Sequence, residues 1–239
     1  MSTELRYDLP KLGGLDGLDI VHLQCHIGTD TVSLSRLGPR STWGLDFSAA
    51  ALRAARELAV RARADIAFVE ADVYHAVRTL GADRFDLVYT GIGALCWIPS
   101  IRRWADVVAG LLRPGGRLFM REGHPVLWSL CDPRPDRLLV VEYPYFETDG
   151  ILFVEHDTYA GTGAVASPRI IHFNHGLGAI FTALTDAGLI VTTLEEHREV
   201  PWNPLGEAMI PSPDFDGEFI LAKDRDRIPL TYTVQAVKG

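Results

Sequence analysis

Cysteine is scarce in this sequence. Its three residues, Cys25, Cys96 and Cys131, cannot all pair and show no CxxC spacing. That excludes a disulfide framework, gives no zinc-knuckle signature and fits a reducing, cytoplasmic setting. Long apolar runs are missing too. None approaches the roughly 20 residues that span a bilayer, and the opening MSTELRYDLP lacks the basic start and apolar core of an export signal. No membrane partner is expected. Positive charge is in deficit: 23 Lys and Arg against 31 Asp and Glu leave a net charge of -8. With no basic stripe of interleaved aromatics, nucleic acid is not the expected partner.

What is present is the composition of a folded domain, with 47% hydrophobic and 23% charged residues among 239. A chain of this length buries on the order of 70% of its unfolded surface, so it needs no covalent or metal staple. One domain over residues 1–239 is expected. Its first half repeats a short Val/Ile/Leu-rich run, a polar or glycine turn, and a stretch with helical spacing, the pattern of βαβ units. Strands are predicted at Asp19–Gln24, Thr42–Asp46, Ile66–Glu70, Phe85–Thr90 and Arg117–Arg121. They are apolar nearly throughout, as parallel strands covered on both faces must be. Ser48 is placed to cap a helix over Ala49–Arg63, and a second helix is predicted over Pro99–Leu112, stopped by Pro114-Gly115-Gly116.

After Arg121 the rhythm changes. Pro125, Pro133, Pro135 and Pro144 punctuate residues 125–172, which read as a β-rich insertion with a hairpin of Leu138–Tyr145 and Ile151–Tyr159 around Asp149-Gly150. Asn174 is a predicted cap for a helix with Leu177, Ile180, Phe181 and Leu184 inward, ended at Gly188. A strand Leu189–Leu194, a loop Pro201–Pro213 and a last strand Leu230–Val237 follow.

Ligands of an open parallel sheet bind beyond the carboxyl ends of its strands, so the strand exits carry the functional signal. The first exit, Val21-His22-Leu23-Gln24-Cys25-His26-Ile27-Gly28-Thr29-Asp30, runs into a helix whose amino end offers free amides, and Gly28 permits a close backbone approach. The second ends on Asp46, about 20 residues later, where a carboxylate can accept both hydroxyls of a ribose. The third, Glu70-Ala71-Asp72-Val73, offers another acid. A GxGxxG turn is lacking, which weighs against a nicotinamide-dependent oxidoreductase.

In order, Val21–Gly28, Gly44-Leu45-Asp46, Glu70-Ala71-Asp72-Val73, Phe85-Asp86-Leu87-Val88-Tyr89-Thr90-Gly91 and Leu111-Leu112-Arg113-Pro114-Gly115-Gly116-Arg117-Leu118 resemble a class I S-adenosylmethionine-dependent methyltransferase. The resemblance covers about residues 15–122. It implies an α/β fold: a Rossmann-like, seven-stranded, mostly parallel sheet with an antiparallel last strand and helices on both faces. It also implies S-adenosylmethionine as cofactor and a small-molecule acceptor. Carried over position by position, Asp46 would bind the ribose, Asp72 the adenine amino group with Val73 beside the ring, and Thr90 and Gly91 would line the methionine end. Gly28 would face the cofactor through its backbone, with Cys25 and Phe47 among the contacts. The family's first motif has an acid followed by three alternating glycines. Here His22, Gln24, His26 and Gly28 stand at those places, so Gln24 and His26 either crowd the approach or supply side-chain donors to the methionine carboxylate. The alternative on the same fold is a nucleoside-binding, non-methylating enzyme or regulatory subunit.

Methyl transfer from a sulfonium is an in-line displacement that needs positioning and exclusion of water, and needs a base only if the acceptor must lose a proton. His124, just after the fifth strand, is the first candidate for that base and Glu122 the second. Tyr143, Tyr145, Phe146, His156, Tyr159, His172 and His175 give the insertion a polar-aromatic mix suited to acceptor contacts, without the spacing of a metal site. Fewer than about 20 residues precede the first predicted strand, so the insertion and the 201–213 loop are expected to form the cap, with a homodimer as a further option.

Overall fold

The computed structural model describes residues 1–154 and 169–239. In chain order the first half comprises α1 (Thr3–Leu12), β1 (Asp19–Leu23), α2 (Thr29–Ser35), β2 (Ser41–Asp46), α3 (Ala49–Ala62), β3 (Ala67–Glu70), α4 (Ala76–Leu80), β4 (Phe85–Thr90), α5 (Ile101–Leu111) and β5 (Leu112–Gly123). The remainder comprises α6 (Pro125–Trp128), β6 (Ile151–Val154), β7 (Arg169–His172), α7 (Leu177–Asp186), β8 (Leu189–His197), β9 (Met209–Pro211), β10 (Phe219–Leu221) and β11 (Thr231–Lys238). The main sheet has the order β3-β2-β1-β4-β5-β11-β8. β1 pairs in parallel with both β2 and β4, whereas β11 runs antiparallel to β5 and β8. The order reverses between β1 and β4, the switch point at whose carboxyl side open α/β sheets bind their ligands.

Side-chain alternation along the strands builds two apolar layers. On β4, Val88 packs with Trp104, Val108 and Ile180 of the α5–α7 side, while its neighbours Leu87 and Tyr89 pack with Leu5, Leu12 and Leu34 of the α1–α2 side. Helices on both faces explain why all six residues of β4 are buried. Ser48 Oγ accepts from Ala51 N at 3.2 Å to start α3, and Ser100 Oγ accepts from Arg103 N at 3.4 Å at the start of α5. Gly44 in β2 is required by packing: a Cβ there would lie 2.8 Å from the Phe68 ring and 3.0 Å from Cys25 Sγ. Gly44→Ala is accordingly expected to lower stability by about 1–3 kcal/mol. An unchanged urea midpoint would contradict that packing.

Several sequence expectations need correction. β5 begins at Leu112, directly after α5, and runs through the Pro-Gly-Gly segment to Gly123. Residues 138–145 form no hairpin strand among the described residues; they make a single bridge, Leu130 to Val141. Leu138 and Val141 are exposed, so the apolar alternation there has no surface to cover. Ile151–Val154 pairs instead with Arg169–His172. The rest of the predicted strand to Tyr159, with His156, lies outside the described residues. Asn174 does not cap α7, whose cap position is Gly176. The buried Asn174 amide donates to the carbonyls of Pro125 (2.9 Å) and Pro144 (3.0 Å), clasping the insertion at two points. Phe181 is 48% exposed and lies outside the core.

The insertion and the 201–213 loop meet in a third apolar cluster that includes Leu127, Leu130, Val200, Leu205, Met209 and Leu230. Trp128 stacks on Trp202 with centroids 5.7 Å apart, and Arg137 pairs with Glu207 at 2.7 Å. Phe173 N donates to Cys96 O at 2.9 Å, which joins this assembly to the loop after β4. No helix among the described residues is long and apolar enough to cross a membrane.

Candidate active site

The turn after β1 alternates backbone conformations. Gln24 (φ 54°), His26 (φ 49°) and Gly28 (φ 77°) all occupy the left-handed region. Only glycine adopts it freely, so the two side-chain-bearing residues are strained by about 1–3 kcal/mol each. The turn is held by its surroundings. Cys25 N donates to Leu45 O (3.0 Å), Gly28 N to Cys25 O (2.9 Å) and Gln24 Nε2 to Ala94 O (2.8 Å). At Gly28 a Cβ would lie 2.9 Å from that of Ala55, so this position has no room for a side chain.

Asp46, at the end of β2, ties two turns together. Its Oδ2 accepts from His26 N and its Oδ1 from Ser48 N, both at 2.8 Å. Each carboxylate oxygen retains a further acceptor site. Phe47 beside it is 69% exposed, presenting an aromatic face at the same strand exit. Asp72 is exposed and holds its own loop through Oδ1 to Tyr74 N (2.8 Å), with Val73 buried next to it. Burial and the Asp46 carboxylate push the Cys25 thiol up to about 12, so it packs as a small apolar group.

At the exit of β4, Thr90 is fully buried and its Oγ1 has no hydrogen-bond partner among the described residues. A Cβ on Gly91 would lie 3.3 Å from Asp30 Oδ2 and 3.5 Å from His22 Nε2, so these three residues meet at one point. His22 Nδ1 lies 2.9 Å from Thr31 Oγ1, and burial pushes the ring down to about 3, leaving it neutral.

Both base candidates are engaged within the protein. Glu122 is buried and receives the amides of Gly93 (2.7 Å), Ala94 (2.8 Å), Leu95 (2.9 Å) and Gly123 (2.7 Å). Burial raises its pKa, while those four donors pull the other way. His124 Nδ1 accepts from Val126 N (3.1 Å), so Nε2 carries the proton directed at Glu196 Oε1 (2.9 Å). Burial lowers the His124 pKa, with Glu196 opposing. Of the insertion's candidates, His175 bridges Glu147 and Ile98 O at 2.9 and 2.8 Å, and the rings of His172 and Trp97 meet edge to face at 4.9 Å.

Beneath the exits, α1 closes a polar layer that the sequence pattern did not reveal. Tyr89 OH donates to Asp8 Oδ2 at 2.9 Å, and the Arg121 guanidinium lies 3.7 Å from the centroid of the Tyr7 ring. Arg121 also forms a two-pronged pair with Glu218, at 2.9 and 2.8 Å. Burial pushes Asp8 up to about 7, against the pull of Arg121 and Tyr89. From about pH 4, where an unfolded aspartate ionises, to pH 7, the folded chain therefore holds more protons than the unfolded chain. Asp8 costs stability progressively across that window. Asp8→Asn is expected to melt at a higher temperature than the parent at pH 8 and at a similar one at pH 4. Equal shifts at both pH values would contradict the assignment.

Residues 21–118, which contain these strand exits, match the family model of a methyltransferase domain. This segment is similar to a methyltransferase domain. Its sheet, with β11 antiparallel between β5 and β8, is the Rossmann-like arrangement expected of class I S-adenosylmethionine-dependent methyltransferases. Solved structures agree on the fold. An S-adenosylmethionine-dependent methyltransferase from Mesorhizobium loti superimposes with a TM-score of 0.69 at 23% identity, covering 99% of this chain and 98% of its own. One from Clostridium acetobutylicum gives 0.61 at 16% identity, covering 98% and 89%. The glycopeptide N-methyltransferase MtfA, solved with S-adenosylmethionine, gives 0.62 at 17% identity, covering 99% and 93%. No curated protein matches. Within this fold the predicted contacts fall into three groups. Gln24, Cys25, His26, Gly28, Asp46 and Phe47 surround the first two exits; Thr90 and Gly91 end β4 beside β1, and Asp72 and Val73 follow β3.

Proposed function

We propose that this methyltransferase moves a methyl group from S-adenosylmethionine to a small-molecule acceptor by in-line displacement. The observation that carries the reading is the turn Gln24–Gly28, left-handed at alternate residues and anchored by its own amide to Asp46 Oδ2. That path sets backbone and one carboxylate side by side at the first two strand exits, as binding of a nucleoside requires. The fit is supported by buried acceptor atoms without partners among the described residues, Gln24 Oε1 and Thr90 Oγ1, at the ends of β1 and β4. Asp46 would hold the ribose, Phe47 and Val73 would flank the adenine, and Asp72 would accept from its amino group. When bound, the cofactor supplies a sulfonium-activated methyl group.

The chain's own contribution is orientation. Glu122 gathers the amides of Gly93, Ala94 and Leu95 and so fixes the β4 loop that would line the methionine end. His124, bound at both ring nitrogens, holds the start of α6 against β8. Each is a positioning residue in this reading, and transfer relies on alignment with water excluded. The insertion and the 201–213 loop would form the acceptor cap. A net charge of -8 favours a small acceptor over a nucleic acid. MtfA, which shares the fold, is a glycopeptide N-methyltransferase. Calorimetric titration with S-adenosylhomocysteine, followed by mass-spectrometric screening of acceptors for a mass gain of one methyl group, tests the proposal. Binding with turnover supports it; tight binding without turnover on any acceptor would favour the non-methylating alternative.

A further inference from the structure

The protons on a buried histidine ring can be read from the atoms that its two nitrogens face. His124 Nδ1 accepts from Val126 N, and His197 Nδ1 faces Lys11 Nζ at 3.4 Å while its Nε2 lies 2.8 Å from Thr233 Oγ1, so each of these rings is complete with one proton. His175 differs. Its Nε2 lies 2.8 Å from Ile98 O and its Nδ1 2.9 Å from Glu147 Oε2. A carbonyl and a carboxylate only accept. A neutral ring has one N–H and turns a lone pair on the other oxygen, whereas an imidazolium donates to both. The side chain is 1% exposed, which makes an unmatched lone pair costly.

The two oxygens belong to different parts of the molecule. Ile98 lies in the loop after β4 and Glu147 in the insertion, and the segment Phe173–Leu177 clasps the two together. Phe173 N donates to Cys96 O, Asn174 Nδ2 donates to Pro125 O and Pro144 O, and Leu177 N donates to Tyr145 OH at 3.3 Å. The Tyr145 ring packs so closely on Gly176 that a Cβ there would lie 2.7 Å from Cε1. Of these links only the one through His175 uses a side chain that ordinarily titrates near neutral pH. The charged group touching its ring is Glu147. Nearby, Tyr74 feels both Glu147 and Arg103, whose guanidinium lies 4.0 Å from the Tyr74 ring centroid. The His172 ring turns to Trp97 and Phe153, the Cys96 thiol to Gly93 O, and the first turn of α7 carries no acid.

We propose that His175 is a positioning residue that seats the acceptor cap on the β4 loop as an imidazolium, and that loss of its proton loosens the seat. The role in methyl transfer rests on the reading above; the protonation of the ring stands apart from it. The cationic ring makes two charge-assisted bonds, so the seat is firm while the ring is protonated and weakens as the pH rises.

On the full chain, nitrogen NMR at about pH 6 should show a proton on each ring nitrogen of His175. The amides of Glu142, Tyr143 and Phe173 bond to other segments of the clasp and cap. Their protection from hydrogen exchange, corrected for the intrinsic effect of pH, should fall about 10-fold between about pH 6 and about pH 9, the worth of one hydrogen bond to a charged group. Glu147→Gln supplies an N–H that a neutral Nδ1 can accept, so its protection should change by less than about twofold over that range. His175→Gln should be poorly protected throughout. A single ring proton at the lower pH, constant protection in the parent, or an undiminished fall in Glu147→Gln overturns the assignment. Calorimetry with S-adenosylhomocysteine reads the positioning role: across the same range the parent should lose about threefold more affinity than Glu147→Gln, which shares any titration of the ligand. Equal losses alongside a fall in protection overturn that role and leave His175 a structural latch. If the parent binds no S-adenosylhomocysteine at either pH, the cofactor reading has failed and the positioning role falls with it, whatever the ring shows.

Discussion

Asp46→Ala is expected to weaken cofactor binding about 10–100-fold and to lower the stability of the free protein by about 1–3 kcal/mol. The two effects have separate origins. Stability falls because the amides of His26 and Ser48 lose their shared acceptor, each bond being 2.8 Å long and partly buried. The His26 amide matters more, since that residue is already in a left-handed conformation and is held there by its surroundings. Binding falls because the remaining acceptor sites of the carboxylate are those assigned to the ribose hydroxyls. Asp46→Asn separates the effects: its amide oxygen can still serve one of the two backbone donors, so stability should partly recover while affinity stays low. Urea unfolding and calorimetric titration measure the two quantities, and affinity within twofold of the parent for Asp46→Ala would remove Asp46 from the cofactor site.

Arg121→Met should produce the largest stability loss of any single replacement discussed, about 3–5 kcal/mol. Arg121 and Glu218 are each 1% exposed at the side chain and bind through two parallel contacts. Removing the guanidinium leaves a carboxylate in the interior without its cation, and also removes the contact on the Tyr7 ring. The pair itself is a different matter. Desolvation consumes most of the attraction between buried charges, so Arg121→Met/Glu218→Leu should recover much of the loss. A double-mutant cycle in urea measures the coupling; a cost below about 1 kcal/mol for the single variant would contradict this account. Because Tyr7 and Asp8 lie on α1, the single variant should also loosen that helix against the sheet, detectable as faster amide exchange in residues 3–12.

The strand exits were legible in the sequence because parallel strands buried on both faces must be apolar, and their polar terminations stand out. Asp46 and Asp72 were singled out in this way, Thr90 and Gly91 through the resemblance to the family, and β4 was predicted at its observed bounds. The hairpin at 138–145 was misread because an alternating pattern carries no information about whether a facing surface exists. Asn174 was misread for a related reason: a capping residue type before an apolar run resembles any buried amide, and here two distant carbonyls compete for it more effectively than the helix start. His124 and Glu122 were found as polar residues at a strand end, but their partners lie far away in sequence, on the β4 loop and β8.

By itself, then, the sequence determined the βα succession, the apolar strands and the order of motifs that resembles a methyltransferase, because each depends on short-range periodicity and turn chemistry. Tertiary structure alone decided which polar groups are satisfied and which are left over. Gln24 and Thr90 are 66 residues apart along the chain, and only the pairing of β1 with β4 brings their elements together. The same holds for α1, whose Asp8 and Tyr7 gain their significance from Tyr89 and Arg121. Burial removes water as the default partner, and hydrogen-bonding and charge balance then become properties of the assembled fold rather than of any segment.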